Sequence, residues 1–178
     1  VLDACSAPGS KTTHLAELMG NVGEIWAVDR SSSRLNLVAV NSERMRADCI
    51  NILEADSSEL LQIKPEWEQY FQRILLDAPC SGLGTLARHP DARWRMTPEK
   101  IHELVTLQMR LIERILPLLC IGGRLVYSTC TINPEENCRQ IDRLIASHPE
   151  VNLKSQEQIL PRVESGGDGF YIAVIEYN

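Results

Sequence analysis

The chain has 178 residues, of which 44% are hydrophobic and 24% are charged, and its formal net charge is −6. This length and composition predict one globular domain with a sizeable core, and no apolar run approaches the length of a membrane span. Domains that contact many nucleic-acid phosphates are usually basic, so the acidic balance argues against extensive phosphate contact by this chain alone. It leaves room for a local basic patch.

Six cysteines are spread through the sequence, and no two of them form a C-x-x-C pair. This spacing argues against a zinc site, so we expect no metal. No signal peptide opens the chain, and we therefore expect free thiols in a reducing cytoplasm rather than disulfides. The sequence begins directly on a strand pattern, from which we expect that an N-terminal portion is missing.

Strand and helix patterns alternate through the first half of the chain. An apolar strand pattern over Val1–Ala4 leads into a loop, after which Ser10 is predicted to cap a helix that ends at Met19. The other elements predicted in this half are a helix from Ser31 to Arg46 and strands over Glu24–Val28, Ile50–Glu54 and Arg73–Leu76.

The alternation continues in the second half. Thr97 and Pro98 have the pattern of a cap and a first helical residue at the start of a long helix. The spacing of Asn133 and Glu136 matches a capping box, which predicts another helix. The strands predicted here are Arg124–Ser128 after a Gly122-Gly123 turn, a short one near Val151–Leu153, and Phe170–Tyr177. Repeated strand–helix units predict an α/β fold with a mainly parallel sheet.

Three aspartates stand at the ends of successive predicted strands: Asp29, Asp56 and Asp77. The carboxyl ends of parallel strands line the ligand crevice of an open α/β sheet, which predicts a nucleoside site. Asp29 suits ribose hydroxyls, Asp56 an adenine edge, and Asp77 the reactive end of the nucleotide. Gly9, in the loop after the first strand, would allow close ligand approach. The G-x-G-x-x-G and P-loop patterns are absent.

Two cysteines follow predicted strands in the same way. Cys80 lies in D-A-P-C-S-G and Cys130 in Y-S-T-C-T. Either cysteine alone would be explained equally well as a buried packing residue. Two thiols that both reach the ligand crevice favour covalent chemistry instead.

These motifs resemble those of the RNA cytosine-C5 methyltransferases that use S-adenosylmethionine. The resemblance spans essentially the whole chain and depends on the two cysteine motifs, on D-A-C-S-A-P-G-S-K-T from Asp3, on R-H-P-D-A-R-W from Arg88, on P-E-E-N from Pro134 and on G-F-Y from Gly169. The family loop usually reads C-A-A-P-G-G-K. Ser6 and Ser10 replace an alanine and a glycine of that loop, and because both are small we expect cofactor binding to survive.

The resemblance implies a Rossmann-like class I methyltransferase fold, with helices on both faces of the sheet and an antiparallel C-terminal strand. It implies that residues 1–178 are the catalytic domain and that the family's N-terminal RNA-binding portion is missing. The implied cofactor is S-adenosylmethionine, and the implied substrate is RNA, with small-subunit rRNA as the closest match.

The resemblance also implies a role for each site residue. The cofactor would be wrapped by the loop Cys5, Ser6, Ala7, Pro8, Gly9, Ser10 and Lys11, and would also contact Asp29, Asp56 and Asp77. Cys130 would be the nucleophile that adds to cytosine carbon 6, and Cys80 would assist product release. Asp77 would hydrogen-bond the protonated ring nitrogen, and Lys11 would face the base.

Two alternatives and one ambiguous loop stay open at this stage. A DNA cytosine-C5 methyltransferase would use Cys80 as its nucleophile, and the second thiol argues against it. A noncatalytic scaffold that binds S-adenosylmethionine or RNA is disfavoured by the presence of both cysteines and Asp77. The stretch Arg88–Arg95 contains three arginines and Trp94, which could grip phosphates and stack a base. Alternatively, Trp94 packs on the core in a solvated loop.

Overall fold

The computed structural model describes residues 1–162 and 166–178. The strands are Leu2–Asp3 (β1), Ile25–Asp29 (β2), Ile50–Glu54 (β3), Phe71–Asp77 (β4), Leu119–Thr129 (β5), Val151–Ile159 (β6) and Phe170–Tyr177 (β7). The helices are Ser10–Leu18 (α1), Ser32–Met45 (α2), Leu60–Ile63 (α3), Ala92–Arg95 (α4), Pro98–Ile115 (α5) and Cys138–Ser147 (α6). No helix in these two ranges is long and apolar enough to cross a membrane.

The strands form one sheet in the order β3-β2-β1-β4-β5-β7-β6. The first five strands pair in parallel, whereas β7 is antiparallel to both β5 and β6. The predicted α/β fold, with a mainly parallel sheet and an antiparallel C-terminal strand, is therefore confirmed. The chain order reverses direction across the sheet at β1 and β4, which is where α/β sheets open a ligand crevice.

Alternating side chains of the central strands explain why helices cover both faces of the sheet. On β2, Ala27 packs with Leu35 and Val38 of α2. The next residue, Val28, points the other way and belongs to the largest core cluster, together with Ile112 of α5. Both faces of the central strands are therefore covered by helices, and a crevice remains at the strand ends.

The start of α1 differs from the prediction that Ser10 is its cap. Gly9 occupies the cap position with φ of 103°, and Ser10 is the first helical residue. A Cβ on Gly9 would lie 3.0 Å from the Cα of Val38, so this glycine permits a close approach of α1 to α2. Because the positive φ falls on Gly9, Ser10 replaces the usual family glycine without backbone strain.

The predicted capping box was also wrong. Asn133 does accept a hydrogen bond from the backbone of Glu135, at 3.1 Å, but Pro134–Glu136 forms a single 3₁₀ turn and α6 begins at Cys138. The side chain of Glu136 does not return to the cap. It is fully buried and points toward the strand ends.

Two strands are longer than their sequence patterns indicated. β5 begins at Leu119 and includes Gly122-Gly123, which were predicted as a turn; the register with β4 shifts there between Phe71 and Arg73. β6 runs to Ile159 rather than ending near Leu153. It is an edge strand that is exposed along most of its length, so its sequence lacks the apolar alternation by which strands are recognised.

Candidate active site

A cleft of about 260 Å³ opens at the carboxyl ends of the parallel strands. Its lining includes seven of the predicted site residues, which are Cys5, Ala7, Asp29, Asp56, Asp77, Cys80 and Cys130. These residues lie at the carboxyl ends of the five parallel strands β1 to β5 and are separated by up to 125 positions in the sequence. The topology therefore brings together the predicted cofactor residues and the two predicted catalytic thiols.

The loop between β1 and α1 contributes to the cleft through only part of its length. Cys5 and Ala7 line it, whereas Pro8 is exposed and Gly9 packs on α2. Ser6 is buried, and its hydroxyl has no hydrogen-bond partner among the described residues. Burial, reinforced by nearby aspartates, raises the pKa of the Cys5 thiol well above its ordinary value. Cys5 is therefore held as a neutral thiol rather than a nucleophile.

Asp29 is held in one orientation at the end of β2. Its Oδ1 accepts a hydrogen bond from the Ser31 backbone at 3.0 Å, and its Oδ2 accepts one from the Ala7 backbone at 3.3 Å. Arg34 lies 3.3 Å from the same Oδ2 and also donates to the carbonyl of Ala7. The sequence analysis missed Arg34 and its neighbour Arg30, both of which line the cleft.

Asp56 is kept ionised by local donors. Its Oδ1 accepts hydrogen bonds from the Ser58 backbone at 2.8 Å and from the Ser58 hydroxyl at 2.7 Å. Burial alone would raise the pKa of Asp56, but these bonds and the charges of Arg110 and Arg30 lower it below its ordinary value. Oδ1 is thus occupied by contacts within its own loop, and among the described residues Oδ2 contacts Arg110, at 3.4 Å.

Asp77 and Lys11 form an ion pair beside the cysteines. The ammonium of Lys11 lies 2.6 Å from Oδ2 of Asp77, and the hydroxyl of Ser128 donates to Oδ1 at 2.8 Å. The same ammonium lies 5.4 Å from the ring centroid of Phe170. Lys11 does not line the cleft itself, but it fixes the carboxylate that does.

The two cysteine sulfurs lie 3.4 Å apart, and neither cysteine forms a disulfide. The hydrogen bond from Cys80 is the main cause that lowers the pKa of Cys130; Lys11 acts in the same direction, whereas burial and Asp77 oppose it. The pKa of Cys80 is raised because its thiol donates this bond and because it is buried. The thiolate therefore forms more readily at Cys130 than at Cys80.

The arginine-rich stretch Arg88–Arg95 lies in the segment that follows Cys80 along the chain. Trp94 lies on α4 with 85% of its surface exposed, so the interpretation that it packs on the core is wrong. Arg88 pairs with Asp168, and Arg95 pairs with Asp91 at 2.8 Å. The ring is thus presented to solvent beside partly neutralised arginines.

Sequence reasoning also missed the buried carboxylate of Glu136, which contacts residues next to both cysteines. Its only sequence signal was membership of the P-E-E-N motif, which was interpreted as a helix start. Within the two described ranges, no group of three or more histidine, cysteine or acidic side chains is arranged to hold a metal ion.

Comparisons with known proteins agree with this arrangement. The family model described as "16S rRNA methyltransferase RsmB/F" matches residues 1–176. The protein named "Probable ribosomal RNA small subunit methyltransferase B" from Synechocystis is 44% identical, over 97% of this chain and 42% of the relative. The "Ribosomal RNA small subunit methyltransferase B" of Yersinia enterocolitica is 42% identical, over 97% of this chain and 41% of the relative. The chain thus spans about two fifths of the length of these curated relatives.

Solved structures show the same fold. NSun6 from Pyrococcus horikoshii, solved with the S-adenosylmethionine analogue SFG, has a TM-score of 0.87 and 30% identity, covering 99% of this chain and 47% of its own. A methyltransferase homologue from the same organism has a TM-score of 0.84 and 33% identity, covering 99% and 61%. The predicted family and the predicted cofactor class, S-adenosylmethionine, are confirmed at this level. The chain belongs to the 16S rRNA methyltransferase RsmB/F family.

Proposed function

We propose that this chain is the catalytic domain of an enzyme that transfers a methyl group to carbon 5 of a cytosine in RNA, through a covalent cysteine adduct. The observation that supports this most directly is the pair of thiols, 3.4 Å apart, at the mouth of a nucleoside-sized cleft. Small-subunit rRNA is the proposed substrate, because the family model and the named relatives refer to it.

The residues of the cleft fit S-adenosylmethionine. Asp29 and Asp56 are the proposed contacts for the ribose and the adenine, and the unpartnered hydroxyl of buried Ser6 gives the loop a free polar group. Cys5 and Ala7, the loop residues that line the cleft, and the carboxylate of Asp77 complete the proposed cofactor site. When bound, the cofactor supplies an electrophilic methyl group.

The chain's own residues would activate the base. Carbon 5 of cytosine is a poor nucleophile, and addition of the Cys130 thiolate to carbon 6 makes it enamine-like. The new S–C6 bond takes its electron pair from sulfur, and the C5–C6 π electrons move into the ring. The ring nitrogen takes up a proton from solvent as these electrons arrive and returns it when the product is released. Asp77 would accept a hydrogen bond from that protonated nitrogen, with Lys11 fixing the orientation of its carboxylate.

Product release reverses the addition. Once carbon 5 carries the methyl group, its proton leaves to a base, the C5=C6 bond re-forms and the S–C6 bond breaks. The electron pair returns to Cys130, which becomes a thiolate again. Cys80 would stabilise that leaving sulfur by donating its thiol proton in a hydrogen bond, because the two sulfurs lie only 3.4 Å apart.

RNA is proposed to enter along the loop from Cys80 to α4. Exposed Trp94 offers a surface on which an unpaired base can stack. Arg93 and Arg95 flank it on the same short helix, and they are the proposed contacts for the phosphates next to that base. The net charge of −6 supports the proposal that most RNA affinity comes from parts of the relatives that this chain does not match.

The six free thiols are consistent with a reducing cytoplasm, which is the proposed compartment.

The direct test is methyl transfer from labelled S-adenosylmethionine to small-subunit rRNA, tRNA and duplex DNA, followed by mapping of the modified base. The proposal expects label at carbon 5 of a cytosine in rRNA. Label in DNA would favour a DNA methyltransferase. Cofactor binding without transfer to any substrate, by a chain joined to the remaining parts of its relatives, would favour a noncatalytic scaffold.

A further inference from the structure

Glu136 is a fully buried carboxylate with no cation paired to it among the described residues. Burial of an unpaired charge is costly unless hydrogen bonds replace its water. Here Oε1 accepts from the Ser81 backbone at 2.8 Å and from Gln108 Nε2 at 3.1 Å. Oε2 accepts from the Ser81 hydroxyl at 2.5 Å and lies 3.2 Å from the Thr131 hydroxyl. All four groups are donors, which explains why a carboxylate is stable here.

Three of these four donors come from the two loops that carry the thiols, and the fourth, Gln108, comes from α5. Ser81 follows Cys80 in the sequence, Thr131 follows Cys130, and the hydroxyls of Ser81 and Thr131 lie 2.8 Å apart. Glu136 therefore joins the loop after β4 to the loop after β5 at the position next to both sulfurs.

Backbone pairing alone does not fix this part of the β4 loop. The last ladder contact runs from the Ala78 backbone to the Ser128 carbonyl at 2.8 Å, and the next runs from the Gly84 backbone to the Cys130 carbonyl at 3.0 Å. Cys80 and Ser81 lie between these two contacts. The position of the Cys80 sulfur relative to that of Cys130 thus depends on side-chain bonds, and those bonds converge on Glu136.

An outer ring of bonds holds the carboxylate in place. Gln108 also donates to the Pro79 carbonyl at 2.9 Å, and its own oxygen accepts from Gln140 at 3.2 Å. The buried hydroxyl of Tyr127 donates to the backbone carbonyl of Glu136 at 2.7 Å. The Oε1 of Gln140 has no partner among the described residues, but both carboxylate oxygens of Glu136 and both polar atoms of the Gln108 side-chain amide are hydrogen-bonded. A buried network that is satisfied around its central carboxylate favours one geometry.

We propose that Glu136 is a positioning residue, whose carboxylate holds the Cys80 and Cys130 loops at the separation where one thiol donates a hydrogen bond to the other. The inference rests on the proposed function only in treating the two cysteines as catalytic. Its geometric content can be tested without RNA. An error of about 1 Å in the placement of reacting groups can cost about a hundredfold in rate, so such a residue matters although it touches no substrate.

The first test uses the rate of disulfide formation as a measure of how close the sulfurs of Cys80 and Cys130 lie. Diamide removes two protons and two electrons from a thiol pair, which joins the sulfurs. The rate of formation of the Cys80–Cys130 bond is followed by mass spectrometry of tryptic peptides from the 178-residue chain. Glu136→Ala and Glu136→Gln should both slow it, by about tenfold for alanine. In the wild type, the hydroxyls of Ser81 and Thr131 donate to Oε2 of the carboxylate. An amide nitrogen at that position cannot accept these hydrogen bonds, so the contacts with the two cysteine loops weaken in the glutamine variant.

Glu135→Gln is the matched control. It removes the adjacent carboxylate, which pairs with Arg139 and Arg143 at the surface and contacts neither cysteine loop. The control should oxidise at the wild-type rate. Thermal unfolding and S-adenosylmethionine affinity identify folded variants, and if Glu136→Ala does not fold, Glu136→Gln decides.

The second readout is methyl transfer under saturating RNA. We expect kcat of Glu136→Ala to fall by about a hundredfold with little change in KM for S-adenosylmethionine. Folded Glu136 variants with wild-type disulfide formation and wild-type kcat would overturn the proposal. If the wild-type chain, joined to the remaining parts of its relatives, methylates no RNA while disulfide formation still depends on Glu136 and not on Glu135, the proposed function is refuted and the positioning role stands.

Discussion

At the residue scale, side chains of the same type differ in their surroundings within the cleft. The thiols differ in how readily they ionise, and the carboxylates differ in the groups that hold them in place. Burial keeps Cys5 neutral, whereas the hydrogen bond from Cys80 favours the thiolate of Cys130. Asp29 is fixed by backbone donors, and Asp77 is fixed by Lys11. These differences arise from contacts between loops far apart in the sequence.

The fixed orientation of Asp29 predicts a loss of cofactor affinity when its carboxylate is removed. Asp29→Ala should weaken S-adenosylmethionine binding by about 1–3 kcal/mol, because hydrogen-bonding partners on the ribose are left unmet. Isothermal titration calorimetry measures this directly. Asp48→Ala, on an exposed turn, is the control and should bind as the wild type does. Equal affinity of all three proteins would remove Asp29 from the site.

Asp3 predicts a pH dependence of stability. Burial raises its pKa to about 6, with the hydrogen bond from Thr12 opposing the shift, and its Oδ1 has no partner among the described residues. A raised folded-state pKa means that the native chain binds more protons than the unfolded chain between about pH 4 and pH 6. Stability contributed by this group therefore falls as the pH rises through that window.

Asp3→Asn should remove the contribution of this carboxyl to the pH dependence of stability, because the amide does not titrate. Relative to the wild type, the free energy of unfolding of the variant should gain about 2 kcal/mol between pH 4 and pH 7, since each pKa unit corresponds to about 1.4 kcal/mol and part of the effect falls below pH 4. Urea unfolding at a series of pH values provides the comparison. Parallel stability curves for the two proteins would show that Asp3 is not buried in its charged form.

At the element scale, local patterns predicted the strands and helices that carry apolar periodicity. The long helix α5 begins at the predicted cap, where the Thr97 hydroxyl accepts from the Lys100 backbone at 3.3 Å. The predictions failed where tertiary contacts determine the local structure. Gly9 rather than Ser10 occupies the cap position of α1, and the Glu136 side chain joins a buried hydrogen-bond network instead of capping a helix. Strand ends placed the aspartates and cysteines correctly, because parallel strands end on one edge of the sheet.

A close backbone crossing next to the cysteines could not be predicted from the sequence. Gly84 donates to the Cys130 carbonyl, and its own carbonyl accepts from the Gly169 backbone at 2.7 Å. A Cβ on Gly84 would lie 2.3 Å from the Gly169 carbonyl oxygen and 2.8 Å from that of Cys130. Both neighbours are backbone, so neither can turn away from an added methyl group.

Gly84→Ala should therefore separate the cysteine loops. We expect it to lower the free energy of unfolding by about 1–3 kcal/mol through overpacking, and to slow methyl transfer. Ala87→Ser changes an exposed residue of the same loop and should leave both quantities unchanged. Chemical unfolding and a methyl-transfer assay measure the two effects. A fully stable and active Gly84→Ala protein would contradict the crossing.

At the scale of the whole molecule, a cleft lined by three aspartates and the exposed ring of Trp94 lie on a chain of net charge −6. The fold and the location of the cleft follow from strand–helix alternation, whereas the charge balance limits what this chain can do with RNA. Phosphate contacts by lysine and arginine supply much of RNA affinity. The chain has 18 such residues against 24 acidic ones.

The chain alone should consequently bind RNA weakly at physiological salt, and Trp94 should carry part of what binding there is. Trp94→Ala should weaken binding at low salt by about 1–3 kcal/mol, the range for loss of a stacked base. Leu18→Ala removes another large side chain, 72% exposed on α1, and should have no effect. Fluorescence anisotropy with a single-stranded rRNA fragment gives both values. Tight binding that is insensitive to Trp94 would place the RNA elsewhere.

In the covalent mechanism proposed above, Cys130 attacks the base and Cys80 assists its release. If so, Cys80→Ala can still form the S–C6 bond but should release it slowly, whereas Cys130→Ala can form none. Each variant is mixed with S-adenosylmethionine and a high concentration of substrate rRNA, and the mixtures are run on a denaturing gel. We predict a protein–RNA band for Cys80→Ala and none for Cys130→Ala, which should also lack turnover. The reverse pattern would assign the nucleophile to Cys80, and two active variants without any band would contradict the covalent mechanism itself.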